Sequence, residues 1–240
     1  MWALCKKELS QFFSSLSGPI AIALFLVVNG LVLFVFEDNV LDFGYATLDR
    51  FFELAPWVLL FLIPAITMRS FSEEFRTGTW EVIRTQPLTD WQIVIGKFIG
   101  AYLVVAIALC PTFLYSFIID TLATDQGLDW GATLGSYLGL FLLAAVFTAI
   151  GIWCSSLTAN TIVAFLIATL GTATLFYGFH AFSLLPALPV GLDYWIEWAG
   201  IDFHYRSISR GLLLSTDLLY VVSLCFLFFV LTIRNLRERK

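Results

Sequence analysis

Residues 130–192 read WGATLGSYLGLFLLAAVFTAIGIWCSSLTANTIVAFLIATLGTATLFYGFHAFSLLPALPVGL, 63 consecutive positions without an Asp, Glu, Lys or Arg. A helix needs about 20 apolar residues to cross a hydrocarbon core of about 30 Å. The run therefore holds two spans, and the polar stretch Cys154-Ser155-Ser156-Leu157-Thr158-Ala159-Asn160 supplies the turn between them. Outward from it, other charge-free runs delimit further spans. Gly18-Pro19 breaks the run that follows Glu8, leaving a span that ends at Glu37-Asp38. Pro56 and Pro64 fall in a short run between Glu53 and Arg69, which must use its polar flanks. Lys97 to Asp120 and Asp217 to Arg234 bound the remaining two. The reading is an all-α integral membrane protein, a single domain over 1–240, with six transmembrane helices at about 19–36, 54–70, 97–119, 133–154, 159–180 and 217–234.

Composition agrees. The 240 residues are 60% hydrophobic and 13% charged, whereas soluble domains average about 45–50% and about 25%. A soluble enzyme and a disordered scaffold are disfavoured, and a formal charge of −5 argues against a nucleic-acid surface. Cys5, Cys110, Cys154 and Cys225 form no Cys-x-x-Cys or Cys/His pairing, so they read as small apolar residues rather than a disulfide or metal framework. A cleaved signal peptide does not fit the first segment, which is too long and lacks a small-x-small site.

Six spans put both termini, the 69–97 loop and the 154–160 turn on one side. That side carries ten of the 13 Lys and Arg residues, against Arg50, Arg206 and Arg210 on the other. The bias makes it cytoplasmic. Residues 1–17 read as an interfacial helix. Trp2, Cys5, Leu9, Phe12, Phe13 and Leu16 take one face, while Lys6, Lys7, Ser10, Gln11 and Ser14 take the other. The alternative is a plain cytoplasmic overhang of the first span.

The 69–97 loop is the most charged part of the chain. Ser72-Glu73-Glu74 has the character of a helix start, a capping hydroxyl followed by acids. Phe71, Phe75, Thr79 and Ile83 recur at four-residue steps and give the helix an apolar edge. Gly78 loosens its middle and Gln86-Pro87 ends it. Such a helix suits docking against another protein.

Glu73-Glu74-x-Arg76-x-Gly78-Thr79-x-Glu81, then Thr85-x-Pro87-Leu88-x-Asp90-Trp91 and Gly96-Lys97-Phe98, resembles ABC-2 type exporter permeases. Gly151-Ile-Trp-Cys-Ser155-Ser156-Leu157-Thr158-x-Asn160 is a second match. Lys6-Lys7-Glu8-Leu-x-x-Phe12-Phe13 and Phe203-His204-Tyr-Arg-Ser-Ile-Ser-Arg-Gly211 are similar to the gliding-motility-associated (GldF-type) branch. The resemblance covers nearly the whole chain. It implies a permease half that pairs with a second permease, the same or homologous, and with two cytosolic ABC ATPase subunits that bind ATP and Mg. It also implies a cytoplasmic coupling helix between spans 2 and 3, where Glu73, Glu74, Phe75, Arg76, Gly78, Thr79 and Glu81 make or shape the ATPase contact. Short re-entrant or outer helices between spans 5 and 6 would occupy 181–216. The location implied is the bacterial inner membrane, with membrane lipids and an extracytoplasmic-domain protein as further partners.

The residues alone agree on one point. The only Gly-Lys, Gly96-Lys97, lacks the rest of a phosphate loop, so no catalytic, cofactor or metal residue is assigned and ATP hydrolysis falls to a partner. His180 and His204 read as interfacial or solvated side chains, and Asp120 and Asp217 as span boundaries. Gly135, Gly139, Gly151, Ala144 and Ala145 give the fourth span a small-residue side, for packing within the chain or in a dimer. Trp57, Trp130, Trp195 and Trp198 read as interfacial anchors. The rival to an exporter is an anchoring subunit that relays ATPase movement to extracytoplasmic machinery without moving solute. The cargo is not legible.

Overall fold

The computed structural model describes residues 2–36, 39–40, 46–123, 127–184, 191–212 and 214–239. Glu37 and Asp38, expected to close the first span, and residues 185–190 of the outer stretch lie outside them. The described residues form helices and no strand. In chain order these are α1 (Trp2–Ser14), α2 (Ser17–Phe34), α3 (Asp49–Thr67), α4 (Ser72–Thr77), α5 (Thr79–Arg84), α6 (Asp90–Leu109) and α7 (Phe113–Leu122). They are followed by α8 (Trp130–Leu157), α9 (Thr161–Ala173), α10 (Phe179–Ser183), α11 (Leu192–Trp198), α12 (Ile201–Ile208) and α13 (Ser215–Glu238). Five stretches are long and apolar enough to cross a membrane: Asp49–Thr77, Asp90–Leu122, Trp130–Leu157, Thr161–Ser183 and Ser215–Glu238. A sixth is reached if α1 and α2, bent by 73° at their junction, count together.

The centre is α8, against which α3, α6, α9, α12 and α13 pack. Ala144, Val146, Phe147, Ala149, Ile150 and Ile152 are fully buried on successive sides of it. Small residues set the approach. A Cβ at Gly151 would lie 2.1 Å from the Thr67 hydroxyl on α3, far inside van der Waals contact. Gly139 meets Ile208 and Gly135 meets Gly211, so the small-residue side of α8 is used within the chain. Helix α8 also runs on to Leu157, placing Cys154, Ser155 and Ser156 in its last turn and leaving Thr158, Ala159 and Asn160 as the connection. The Asn160 side chain caps α9, accepting from the Ile162 N–H at 2.9 Å.

Prolines inside the spans leave carbonyls that other side chains must satisfy. Pro56 has no N–H to offer the Phe52 carbonyl one turn back, and a buried carbonyl needs another donor. The Tyr205 hydroxyl of α12 donates to that carbonyl at 2.7 Å. Its ring is buried, and burial pushes its phenol above the ordinary range. Tyr205→Phe is therefore expected to lower stability by about 1–3 kcal/mol. Thermal unfolding in detergent would show this as a drop that Tyr194→Phe, at an exposed site, does not reproduce. Pro111 ends α6 in a single 3₁₀ turn, Cys110–Thr112, whose Thr112 carbonyl accepts from the buried Tyr137 hydroxyl at 2.8 Å.

Between α9 and α10 the backbone widens into a π-helical turn, Thr174–Gly178. The two short helices α11 and α12 follow, α11 against α10 and α12 against α8 and the π turn. The histidine reading changes here. His204 is 2% exposed, so it is no solvated side chain. Its Nδ1 faces Asp217 Oδ1 at 2.7 Å, and Nε2 faces the Trp198 carbonyl at 3.0 Å. Asp217, buried as well, thus ties the start of α13 to α12 and does more than mark a boundary.

Candidate functional site

At the end of α3 the chain leaves the bundle as an elbow of two short helices. They meet at Gly78, whose φ of +73° is left-handed, a conformation that costs an L residue about 1–2 kcal/mol. One continuous helix was expected, with the apolar edge Phe71, Phe75, Thr79 and Ile83. The break at Gly78 puts Trp80 in place of Thr79 on the buried side, beside Ile83, while Thr79 is exposed. Phe71, Phe75 and Trp80 form a ring cluster, with the edge-on contacts of Phe71 and Phe75 to Trp80 both at 5.7 Å.

The cap also differs from expectation. The Ser72 hydroxyl turns back to the Met68 carbonyl, as serines within helical turns do. The cap comes from α8 instead. Ser155 Oγ accepts the N–H groups of Phe71 and Ser72 at 2.9 and 3.2 Å and donates to the Met68 carbonyl at 3.1 Å. Its neighbour Ser156 holds the end of α13 through Asn235, at 3.0 Å between Nδ2 and Oγ. Near that same end of α13, the Arg239 guanidinium lies 4.4 Å from the Phe75 ring centre, and Arg237 Nε donates to Asp90 Oδ2 at 3.0 Å.

Beneath the elbow lies an ion cluster. Lys97, on α6, is 0% exposed. Its Nζ sits 2.8 Å from Glu8 Oε1 of α1 and 2.9 Å from Glu74 Oε1 of α4, and it donates to the Ser70 carbonyl. Lys7 closes the set at 2.7 Å from Glu74 Oε1. Gln11 Nε2 donates to Glu73 Oε2 at 3.1 Å. A buried ammonium needs both carboxylates and the carbonyl to offset its lost hydration. The cluster therefore fixes α1, α4 and α6 to one another.

The polar face of α1, as that of an interfacial helix, was expected to hold its lysines near the lipid head groups. Instead Lys7, Glu8 and Gln11 face the elbow, because α1 lies across α6. Cys5 is buried there, Leu9 and Phe12 pack against the core, and Trp2, Phe13 and Leu16 stay exposed.

The seven residues singled out in the sequence separate into two groups. Glu74 is buried, and Glu73 and Phe75 are half-buried within the chain's own contacts. Arg76, Gly78, Thr79 and Glu81 are exposed at the tip, as is Val82 at 63%. Val82 escaped the sequence reading because it lies off the apolar edge. Lys97 escaped it because a lysine at the start of a span reads as a boundary residue. No local pattern pairs it with the distant acids Glu8 and Glu74.

A helical bundle with five or six candidate spans and a docked elbow defines a multi-pass membrane protein. The sequence model described as ABC-2 family transporter protein matches residues 2–189, most of the chain, and the chain belongs to that family. It is thus a transmembrane permease component, not itself catalytic. No curated protein matches the chain.

Proposed function

We propose that the chain is the permease half of an ATP-driven exporter, coupled through the tip of the α4–α5 elbow to a cytosolic ATPase. What carries this reading is the contrast within the elbow. Its base is bolted to α1, α6 and α8 by Lys97 and Ser155, while its tip presents Arg76, Thr79, Glu81 and Val82 to solvent. A lever needs both properties. Two ATPase subunits, holding ATP and Mg, close together; the two elbows move with them, and the ion cluster passes that movement to α1 and α6. Two permease copies, or this chain and a homologue, then part toward the outside. Glu73 and Glu74 shape the elbow from within, and the tip residues touch the ATPase. The N-terminal resemblance and the Phe203–Gly211 stretch support a link to gliding motility in a bacterial inner membrane.

A second reading retains the elbow and the ATPase but drops the solute: an anchor that passes force to extracytoplasmic machinery. The continuous burial of Val146 to Ile152 favours it to this extent, that among the described residues this half of α8 is packed within one chain.

Sidedness is the first test. The positive-inside bias puts the elbow and both termini in the cytoplasm. Val82→Cys in a background with the native cysteines replaced should react with an impermeant maleimide only in inside-out vesicles, and Tyr194→Cys only in intact spheroplasts. The reverse pattern would remove the ATPase from reach of the elbow.

A further inference from the structure

At the opposite end of the bundle from the elbow, α3, the π turn and α12 enclose a cavity of about 580 Å3, within the range of small-molecule sites. Its walls carry opposite charges. Asp49 and Glu53 lie one turn apart on α3, and Arg206 and Arg210 one turn apart on the other side. Among the described residues no ion pair joins these two acids to these two arginines; Arg206 instead reaches Asp202 and, at 3.8 Å, Glu197. Burial raises the Asp202 carboxyl above the ordinary range, against the pull of Arg206. Asp49, Glu53 and Arg210 are exposed and line the cavity, with no ion pair of their own among the described residues. The backbone around the site is irregular as well: the π turn supplies Phe176 and Tyr177, and such turns recur at functional sites.

An acidic wall facing a basic wall across a gap suits neither a simple anion nor a simple cation. It suits a molecule carrying both charges. The cavity also continues into an apolar track. Glu53, Trp57 and Phe61 lie at four-residue steps on α3, one face, with Trp57 50% and Phe61 57% exposed. Trp57 stacks on Tyr177 at 4.1 Å, at the rim where aromatic rings sit between head group and chain.

We infer that this cavity binds the head group of a zwitterionic phospholipid, its ammonium toward Asp49 and Glu53, its phosphate toward Arg206 and Arg210, and its acyl chains along the Trp57–Phe61 track. The inference rests on the membrane placement of α3 and not on ATPase coupling.

The test uses the full chain, purified and stripped of lipid in detergent, with thermal unfolding followed against added ligand. Phosphatidylethanolamine should raise the midpoint saturably, phosphatidylglycerol should not, and soluble phosphoethanolamine should act only at concentrations at least a hundredfold higher. Glu53→Gln and Arg210→Gln, both at exposed positions, should each weaken the phosphatidylethanolamine effect at least fivefold while leaving the lipid-free midpoint in place. Equal shifts with the two lipids, or undiminished shifts in both variants, would overturn the site. Phosphoethanolamine acting at the same concentration as the lipid would overturn the lipid assignment. Val82→Asp, at the other end, should leave every shift unchanged, which separates this site from the elbow.

Discussion

Lys97→Met is expected to lower the stability of the protein by about 3–5 kcal/mol, because the buried Glu74 carboxylate and the half-buried Glu8 carboxylate lose the cation between them. That is between about a hundredfold and several thousandfold in the folding equilibrium. The side chain is fully buried, and its three polar neighbours come from α1, from α4 and from the turn before α4. No solvent is at hand to take its place. The readout is the thermal midpoint and the monodisperse fraction in detergent. Adding Glu8→Gln and Glu74→Gln to Lys97→Met should recover more than half of the lost midpoint, since removing a whole ion cluster costs less than stranding part of it. A Lys97→Met protein that unfolds at the wild-type temperature would show that the cluster does not hold the elbow.

The second large effect is expected at the tip. Arg76, Glu81 and Val82 are exposed and contribute little to this chain's own packing. Arg76→Glu with Val82→Asp should change stability by no more than about 0.5 kcal/mol. Recovery of the phosphate-loop ATPase in mild-detergent co-purification should nevertheless fall at least tenfold. The pair Glu73→Ala and Glu74→Ala is a poorer probe. Glu74 answers Lys97 and Lys7 inside the chain, so that variant also unseats α1 and would lose the partner through misfolding. Comparing the two variants separates contact at the tip from integrity at the base.

The helical bundle was legible because charge is so sparse here. The 63 uncharged residues after Asp129 admit only helices in lipid, and the loop after α3 stands out as the longest charged interval. Gly78 marked the middle of the elbow, but its effect on phase was not legible. A left-handed residue resets the helical register, and only the backbone shows whether Thr79 or Trp80 turns inward. The cap from Ser155 and the Lys97 cluster were hidden for another reason. They join residues 23 to 89 positions apart, and local periodicity carries no information about such pairs. The outer cavity was hidden likewise. Asp49 and Arg210 are 161 positions apart, and only α3 and the turn after α12 bring them to one cavity.

The central claim is that the elbow tip touches an ATPase. The most direct measurement is site-specific photocross-linking in cells with p-benzoylphenylalanine at Val82, and at Tyr194 as the control on the opposite end. The account predicts an adduct of Val82 with a phosphate-loop ATPase and none from Tyr194. Failure of Val82 to capture an ATPase, in a protein that is present in the membrane and melts normally, would contradict it.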